Sequence, residues 1–237
     1  MTNKISSFFK DVFKKIKKLW NHAWYGEGPS SWILAVVIIY VFVQFIFYPS
    51  LGFVFSTSHP IVAVVSGSME HKITPVSEGN YHICGELFSQ RQRLSTTEFF
   101  AICGDWYENL NITYSDFSTF PFSRGINTGD VIFLRNPGSE NIQVGDVIVF
   151  IQEQNPSREP IIHRVVAIRI DDTGKRVFQT KGDHNKDSIV QHTAVSYLNE
   201  LEVTQDQLVG RAVFRVPYIG YVKLIAYRSF VFIRGLL

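Results

Sequence analysis

The sequence predicts a mainly β protein on a membrane anchor: an N-terminal amphipathic helix, one transmembrane helix, an all-β domain and an apolar C-terminal helix. Three observations carry this. A nearly unbroken apolar run, Trp32 to Tyr48, follows a lysine-rich segment. Short β-branched runs opened by Gly-Asp turns recur, as in Gly129-Asp130-Val131-Ile132-Phe133-Leu134 and Gly145-Asp146-Val147-Ile148-Val149-Phe150. From Tyr218 onward, apolar residues return at helical spacing. The expected divisions are 1–28 (basic helix and linker), 29–56 (span), 57–217 (β domain, with 76–127 as an insertion) and 218–237 (C-terminal helix).

The N-terminal segment carries Lys4, Lys10, Lys14, Lys15, Lys17 and Lys18 against one acid, Asp11. Phe9, Val12 or Phe13, Ile16 and Leu19 or Trp20 share a face, the pattern of a helix lying in a membrane interface with lysines towards anionic headgroups. A cleaved secretory signal fits less well, because no small-residue cleavage site follows the next apolar stretch. The formal net charge of +2 is too small to argue for nucleic acid.

Gly26-Glu27-Gly28-Pro29 breaks that helix, and Ser30 or Ser31 can cap the next. The run from Trp32, extended past Pro49 by Leu51, Phe53, Val54 and Phe55, reaches the roughly 20 apolar residues needed to span a bilayer. Trp32 and Tyr48 suit the two interfaces, and the lysines place the N-terminal end in the cytosol. Everything after about residue 55 is then expected outside it.

Ile61 to Val65 reads as a buried strand. It delivers Val64-Val65-Ser66-Gly67-Ser68-Met69-Glu70, where two small hydroxyl residues flank a glycine and a side chain can be presented rather than packed. Residues 76–127 are rich in Ser, Thr, Asn and aromatics with weak periodicity, and are expected to be a loosely structured insertion. Cys84 and Cys103 fall within it; outside the cytosol they are expected to bridge, whereas otherwise they read as two separate buried thiols. Asn111-Ile112-Thr113 fits a glycosylation sequon. Further strands are expected at 161–170, 177–180 and 209–216, a spacing that suits a Greek-key or barrel-like domain. In the C-terminal segment Lys223, Arg228 and Arg234 argue for an interfacial or re-entrant helix, since a charge at mid-bilayer costs about 2.5 kcal/mol or more.

A serine hydroxyl needs a base to attack at neutral pH. Ser68 is the candidate nucleophile. His163 lies in a strand of otherwise apolar residues, Ile161-Ile162-His163-Arg164-Val165-Val166, where desolvation favours the neutral, proton-accepting imidazole. The polar turn Gly182-Asp183-His184-Asn185-Lys186-Asp187 supplies two acids that could orient it, Asp183 and Asp187; Asp183 also suits a simple Asx turn.

Taken in order, Ser66-Gly67-Ser68-Met69-Glu70, Gly145 to Phe150, Ile162-His163-Arg164-Val165, Thr180-Lys181-Gly182-Asp183-His184-Asn185 and Val209-Gly210-Arg211 followed by Val216-Pro217-Tyr218-Ile219-Gly220 resemble type I signal peptidase, in the archaeal and endoplasmic-reticulum branch that uses histidine where the bacterial branch uses lysine. The resemblance covers roughly residues 30–75 and 127–225. It implies a signal-peptidase-like catalytic β domain and a membrane-bound serine endopeptidase that cuts signal peptides from exported preproteins after small residues. It implies Ser68 as nucleophile, His163 as general base, and an oxyanion site formed by the Ser68 N–H and the Ser66 hydroxyl. No metal or organic cofactor is implied. Expected partners are the signal peptides, membrane lipid and the protein-translocation channel; the expected location is a cell membrane of archaeal type, with the endoplasmic-reticulum membrane as the alternative. The family spaces its two aspartates more widely than Asp183 and Asp187; Asp187 is expected to partner His163, and Asp183 to form the turn and support the site. A LexA-type self-cleaving protease is a poorer match, because those proteins are soluble and use lysine. A membrane-anchored envelope or binding protein with an inactive site is the non-enzymatic alternative.

Overall fold

The computed structural model describes residues 2–77, 79–136, 138–152, 160–193 and 196–219. It divides into two compact units, one up to Val54 and one from Phe55 onward.

The first unit is helical. Helix α1 (Thr2–Tyr25) presents Phe13, Ile16, Leu19, Trp20 and Trp24 to the outside. Glycine 26 closes the corner: its amide bonds His22 O at 3.0 Å, and a Cβ there would meet that same oxygen at 2.4 Å. Helix α2 (Pro29–Phe42), a π turn (Val43–Phe47) and α3 (Tyr48–Phe55) run on as one helix, Pro29–Phe55. Among the described residues it is the one helix long and apolar enough to cross a membrane. Its N-cap is Gly28 with Pro29 following; Ser31, expected as a possible cap, instead donates to the carbonyls of His22 and Ala23, satisfying the end of α1. The π turn precedes Pro49, whose ring cannot donate and would crowd the preceding turn; the Ser50 hydroxyl satisfies Ile46 O at 2.5 Å.

The second unit is the predicted β domain. Its main sheet holds β1 (Ile61–Ala63), β6 (Val131–Arg135), β7 (Val147–Phe150), β8 (Ile161–Ile170), β9 (Arg176–Lys181) and β12 (Leu208–Val216), every pair antiparallel, in the order β1-β6-β12-β7-β8-β9. The last of these strands in sequence therefore lies in the middle, joining β1–β6 to β7–β8–β9. Both faces of the centre are covered. Along β7, Val147 and Val149 enter one core with Met69, Ile132 and Leu134, while Ile148 and Phe150 enter another with Val165, Phe178 and Val203. Alternate residues point to opposite faces, so a strand buried on both reads as an unbroken apolar run. Each such side chain contributes about 1.5–3 kcal/mol on burial.

The insertion is not loose. With the preceding residues 72–75 it forms a small antiparallel sheet of β2 (Lys72–Ser77), β3 (Asn80–Ile83), β4 (Glu86–Phe88) and β5 (Gln92–Arg93), and it then holds α4 (Thr96–Glu108) and α5 (Tyr114–Thr119). Both helices open with capping boxes, Ser95 with Glu98 and Thr113 with Asp116. Helix α4 buries Phe99, Phe100, Cys103 and Tyr107, a helical stripe, against Ile73, Ile83, Leu94 and Phe117. Cys84 and Cys103 form a disulfide that ties the sheet to α4. A hairpin, β10 (Val190–Thr193) and β11 (Ser196–Asn199), lies between β9 and β12 in sequence and had no counterpart in the sequence reading. The expected C-terminal helix falls almost wholly beyond residue 219, outside the described residues.

Candidate active site

The stretch after β1 is pinned from several sides. Val64 N bonds Asp130 O, Gly129 N bonds Val64 O, and Ile126 N bonds Met69 O, all at 2.8–2.9 Å. Glu70 accepts from Thr128 N at 2.8 Å and pairs with Lys72, and its own amide closes a turn on Gly67 O. Met69 is fully buried. Ser68, between these anchors, is half-exposed, and its hydroxyl is the group the loop presents.

Strand β8 brings the second group. His163 pairs across the sheet with Ile148 and is 4% exposed. Its Nε2 lies 2.9 Å from Ser68 Oγ. Its Nδ1 bonds a carboxylate oxygen of Glu200, directly after β11. Glu200 is fully buried, and among the described residues its carboxylate otherwise accepts hydrogen bonds from the Thr180 hydroxyl at 3.0 Å and Ile189 N at 2.7 Å. Its main chain is clamped as well, Thr180 N to Glu200 O at 2.8 Å and Glu200 N to Ile189 O at 2.9 Å. Ser66 Oγ lies 3.2 Å from Ser68 Oγ.

The two aspartates of the 182–187 turn go elsewhere. Asp187 is exposed and accepts from Trp106 Nε1 at 3.0 Å and from Ser188 N at 2.7 Å. The turn closes early, Asn185 N to Gly182 O at 2.9 Å, which carries Asp187 towards the insertion and away from His163. The expectation that Asp187 partners His163 is therefore corrected: Glu200 occupies that place. Asp183 lies within the turn, and its carboxylate is spent on a different cluster. Arg164 grips it in a two-pronged pair, Nε at 2.9 Å and Nη2 at 2.7 Å, with Tyr107 O–H and His71 Nε2 each at 3.0 Å. All four residues are at most 2% exposed. Burial alone would raise the Asp183 carboxyl, but the Arg164 charge and the hydrogen bonds from His71 and Arg164 hold it well below the usual carboxylate range. Burial lowers His71 against the pull of Asp183, and burial together with the neighbouring Asp183 raises Tyr107 well above the usual phenol.

The same turn still matters to Ser68 and His163. His184 N donates to Ser68 O at 2.9 Å. A Cβ on Gly182 would stand 2.7 Å from His163 Nε2 and 2.8 Å from Ser68 O, so only glycine allows the turn this close. Lys181 is fully buried, and burial pulls its ammonium down to about 8; it donates to the carbonyls of Gly182 and Asp183. Sequence reasoning missed Glu200. Its only local trace is an acid closing the strand-like run Ser196-Tyr197-Leu198-Asn199.

A hydroxyl, an imidazole and a buried carboxylate in hydrogen-bonded line can activate the hydroxyl as a nucleophile. No family model matches the chain. It is similar to the signal peptidase complex catalytic subunit SEC11C of Homo sapiens and of Mus musculus, 35% identical over 99 residues, which are 41% of this chain and 48% of those proteins. It is likewise 34% identical over 99 residues to signal peptidase complex catalytic subunit SEC11 of Lachancea thermotolerans, 40% of this chain and 55% of that protein. The chain thus spans about half the length of the curated relatives it matches.

Proposed function

We propose that this protein is a membrane-anchored serine endopeptidase that removes signal peptides from exported preproteins, with Ser68 as nucleophile, His163 as general base and Glu200 as the acid that orients it. The observation that carries the reading is the unbroken line Ser68 Oγ–His163 Nε2, His163 Nδ1–Glu200, drawn from residues 95 and 37 positions apart. The similarity to signal peptidase catalytic subunits supplies the substrate class.

In this reading the Ser68 hydroxyl attacks the scissile carbonyl while His163 takes its proton. Glu200 holds the imidazole in the tautomer with Nδ1 protonated and stabilises the imidazolium that forms. The tetrahedral oxyanion is met by the Ser68 N–H and the Ser66 hydroxyl, a class of donor worth about 3 kcal/mol each in the transition state. The intermediate collapses, His163 returns the proton to the departing amine, and water attacks the acyl-serine by the same route. Helix Pro29–Phe55 is the anchor and α1 the interfacial helix on lipid. Only about a dozen residues separate the anchor from Ser68, which suits a cleavage site emerging beside a membrane and, with it, a translocation channel as neighbour. The similarity to eukaryotic subunits favours a eukaryotic-type over an archaeal-type membrane.

Purified full-length protein in detergent, given a preprotein, should release the mature product. Ser68→Ala should abolish it; cleavage at the wild-type rate by Ser68→Ala would sink the assignment.

A further inference from the structure

The insertion at residues 76–127 faces the turn that carries Gly182, and the contacts between them are dense. Tyr107 O–H donates to Asp183 Oδ1 at 3.0 Å, and Trp106 Nε1 to Asp187 Oδ1 at 3.0 Å. Lys181 Nζ stands 5.0 Å from the ring centroids of both Trp106 and Tyr107. Cys84 N donates to His184 O at 2.9 Å, and Cys84 Sγ lies 3.4 Å from Asp183 O. Just before the insertion, on β2, the Thr74 hydroxyl is 3.0 Å from His184 Nε2. Arg164, which holds Asp183, also donates to Pro121 O at 2.8 Å and Phe122 O at 3.2 Å and lies 5.0 Å from the centre of the Phe117 ring. The turn is thus gripped on one side by the insertion, while on the other it touches Ser68 through His184 N and leaves room for His163 only at Gly182.

We propose that the insertion is a built-in brace for the catalytic turn: Tyr107 is a positioning residue acting through Asp183 on the Ser68–His163 pair, and the Cys84–Cys103 disulfide keeps the brace closed. The brace rests on the peptidase reading only for its effect on turnover. A turn displaced by a few tenths of an ångström moves the Ser68 carbonyl directly and opens or closes the gap beneath His163 Nε2. Reaction geometry is sensitive on that scale; a misplacement of about 1 Å costs about 100-fold. The disulfide locks β3 to α4, so the two elements that grip the turn cannot separate. The chain has two cysteines, so a reductant has no other bridge to open.

Two readouts on full-length protein in micelles test this: amide exchange over residues 181–188, and preprotein cleavage. The forms are wild type, Tyr107→Phe, Cys84→Ser/Cys103→Ser, and wild type treated with dithiothreitol, which turns the bridge into two thiols and is itself oxidised to its cyclic disulfide. Ile112→Ala loosens the same insertion core at a side chain that makes no hydrogen bond to the turn, and serves as the stability control. The brace predicts exchange at His184 N–H at least about 10-fold faster and kcat about 10-fold lower with KM within about twofold, in Tyr107→Phe and in both bridge-broken forms. Ile112→Ala, matched for melting temperature, should retain wild-type exchange at the turn. Wild-type exchange and turnover in the Tyr107 and bridge variants would overturn the proposal. So would an Ile112→Ala variant that matches them. Faster exchange in a protein that cleaves no preprotein would leave the brace standing and remove the peptidase reading instead.

Discussion

Two buried histidine–carboxylate pairs meet the 182–187 turn, one of them through Asp183 itself, and they differ in what surrounds them. His163 bonds Glu200 through one ring nitrogen and faces the Ser68 hydroxyl with the other. His71 bonds Asp183 through one ring nitrogen, stacks on Phe99 at 3.7 Å, and its Nδ1 has no partner among the described residues. The acids differ more. Glu200 is held by a hydroxyl and an amide, so its charge remains available to a cation forming on His163. Asp183 is already neutralised by Arg164, so a proton on His71 would add a net buried charge. A buried histidine next to an acid is therefore not in itself a catalytic signature. In the proposed reading, the reactive pair is the one whose acid, among the described residues, lacks a guanidinium and whose far nitrogen meets a hydroxyl.

The contrast predicts opposite outcomes for similar substitutions. Glu200→Gln should lower kcat for preprotein cleavage by about 10³–10⁴-fold with little change in KM, because the amide no longer fixes the imidazole tautomer or its charge. Near-normal turnover in that variant would break the comparison. Arg164→Met should act on the other pair and on stability, leaving the Asp183 charge buried without its guanidinium at a cost of about 3–5 kcal/mol in denaturant melts.

Gly182→Ala lies between the two pairs and should touch both readouts. Fitting a methyl 2.7 Å from His163 Nε2 should cost about 1–3 kcal/mol of stability, and kcat should fall by about 10–100-fold. Acid should weaken the side of the turn that the insertion grips. Burial, then the neighbouring His82, lowers His184 from 6.5 to about 4. Between those values the unfolded chain holds the extra proton, so stability is full above about pH 6.5 and falls as pH drops towards 4. The melting temperature should follow that course, with a shallower slope in His184→Gln. The smallest effect belongs to Asp187→Asn. It keeps an acceptor for Trp106, and an exposed hydrogen bond is worth about 1 kcal/mol or less, so turnover should stay within about twofold of wild type.

How much of this was legible in the sequence depended on the range of the interaction. The helix through Trp32 and Phe55 shows itself by length and composition. Strands such as Val147–Phe150 show themselves as apolar runs because both their faces are buried. The stripe Phe99, Phe100, Cys103, Tyr107 was present too, but in a segment so rich in aromatics that buried and half-buried rings did not separate. Glu200 was hidden for a different reason. What places it is the pairing of its main chain with Thr180 and Ile189, a long-range contact with no local pattern. Asp183 and Asp187 drew the eye as acids in a polar turn, but a turn's composition does not tell which way each carboxylate points.

The strand order has a consequence in time. Ser68 follows β1, which pairs with β6; His163 lies on β8, which pairs with β7 and β9. Those two halves of the main sheet are joined by β12, whose residues come after every member of the site. During synthesis, Ser68, His163 and Glu200 would all have been made while the two halves still lacked β12. In the proposed reading, the line Ser68–His163–Glu200 would then close only once β12 is in place, after the apolar N-terminal helix has already been made.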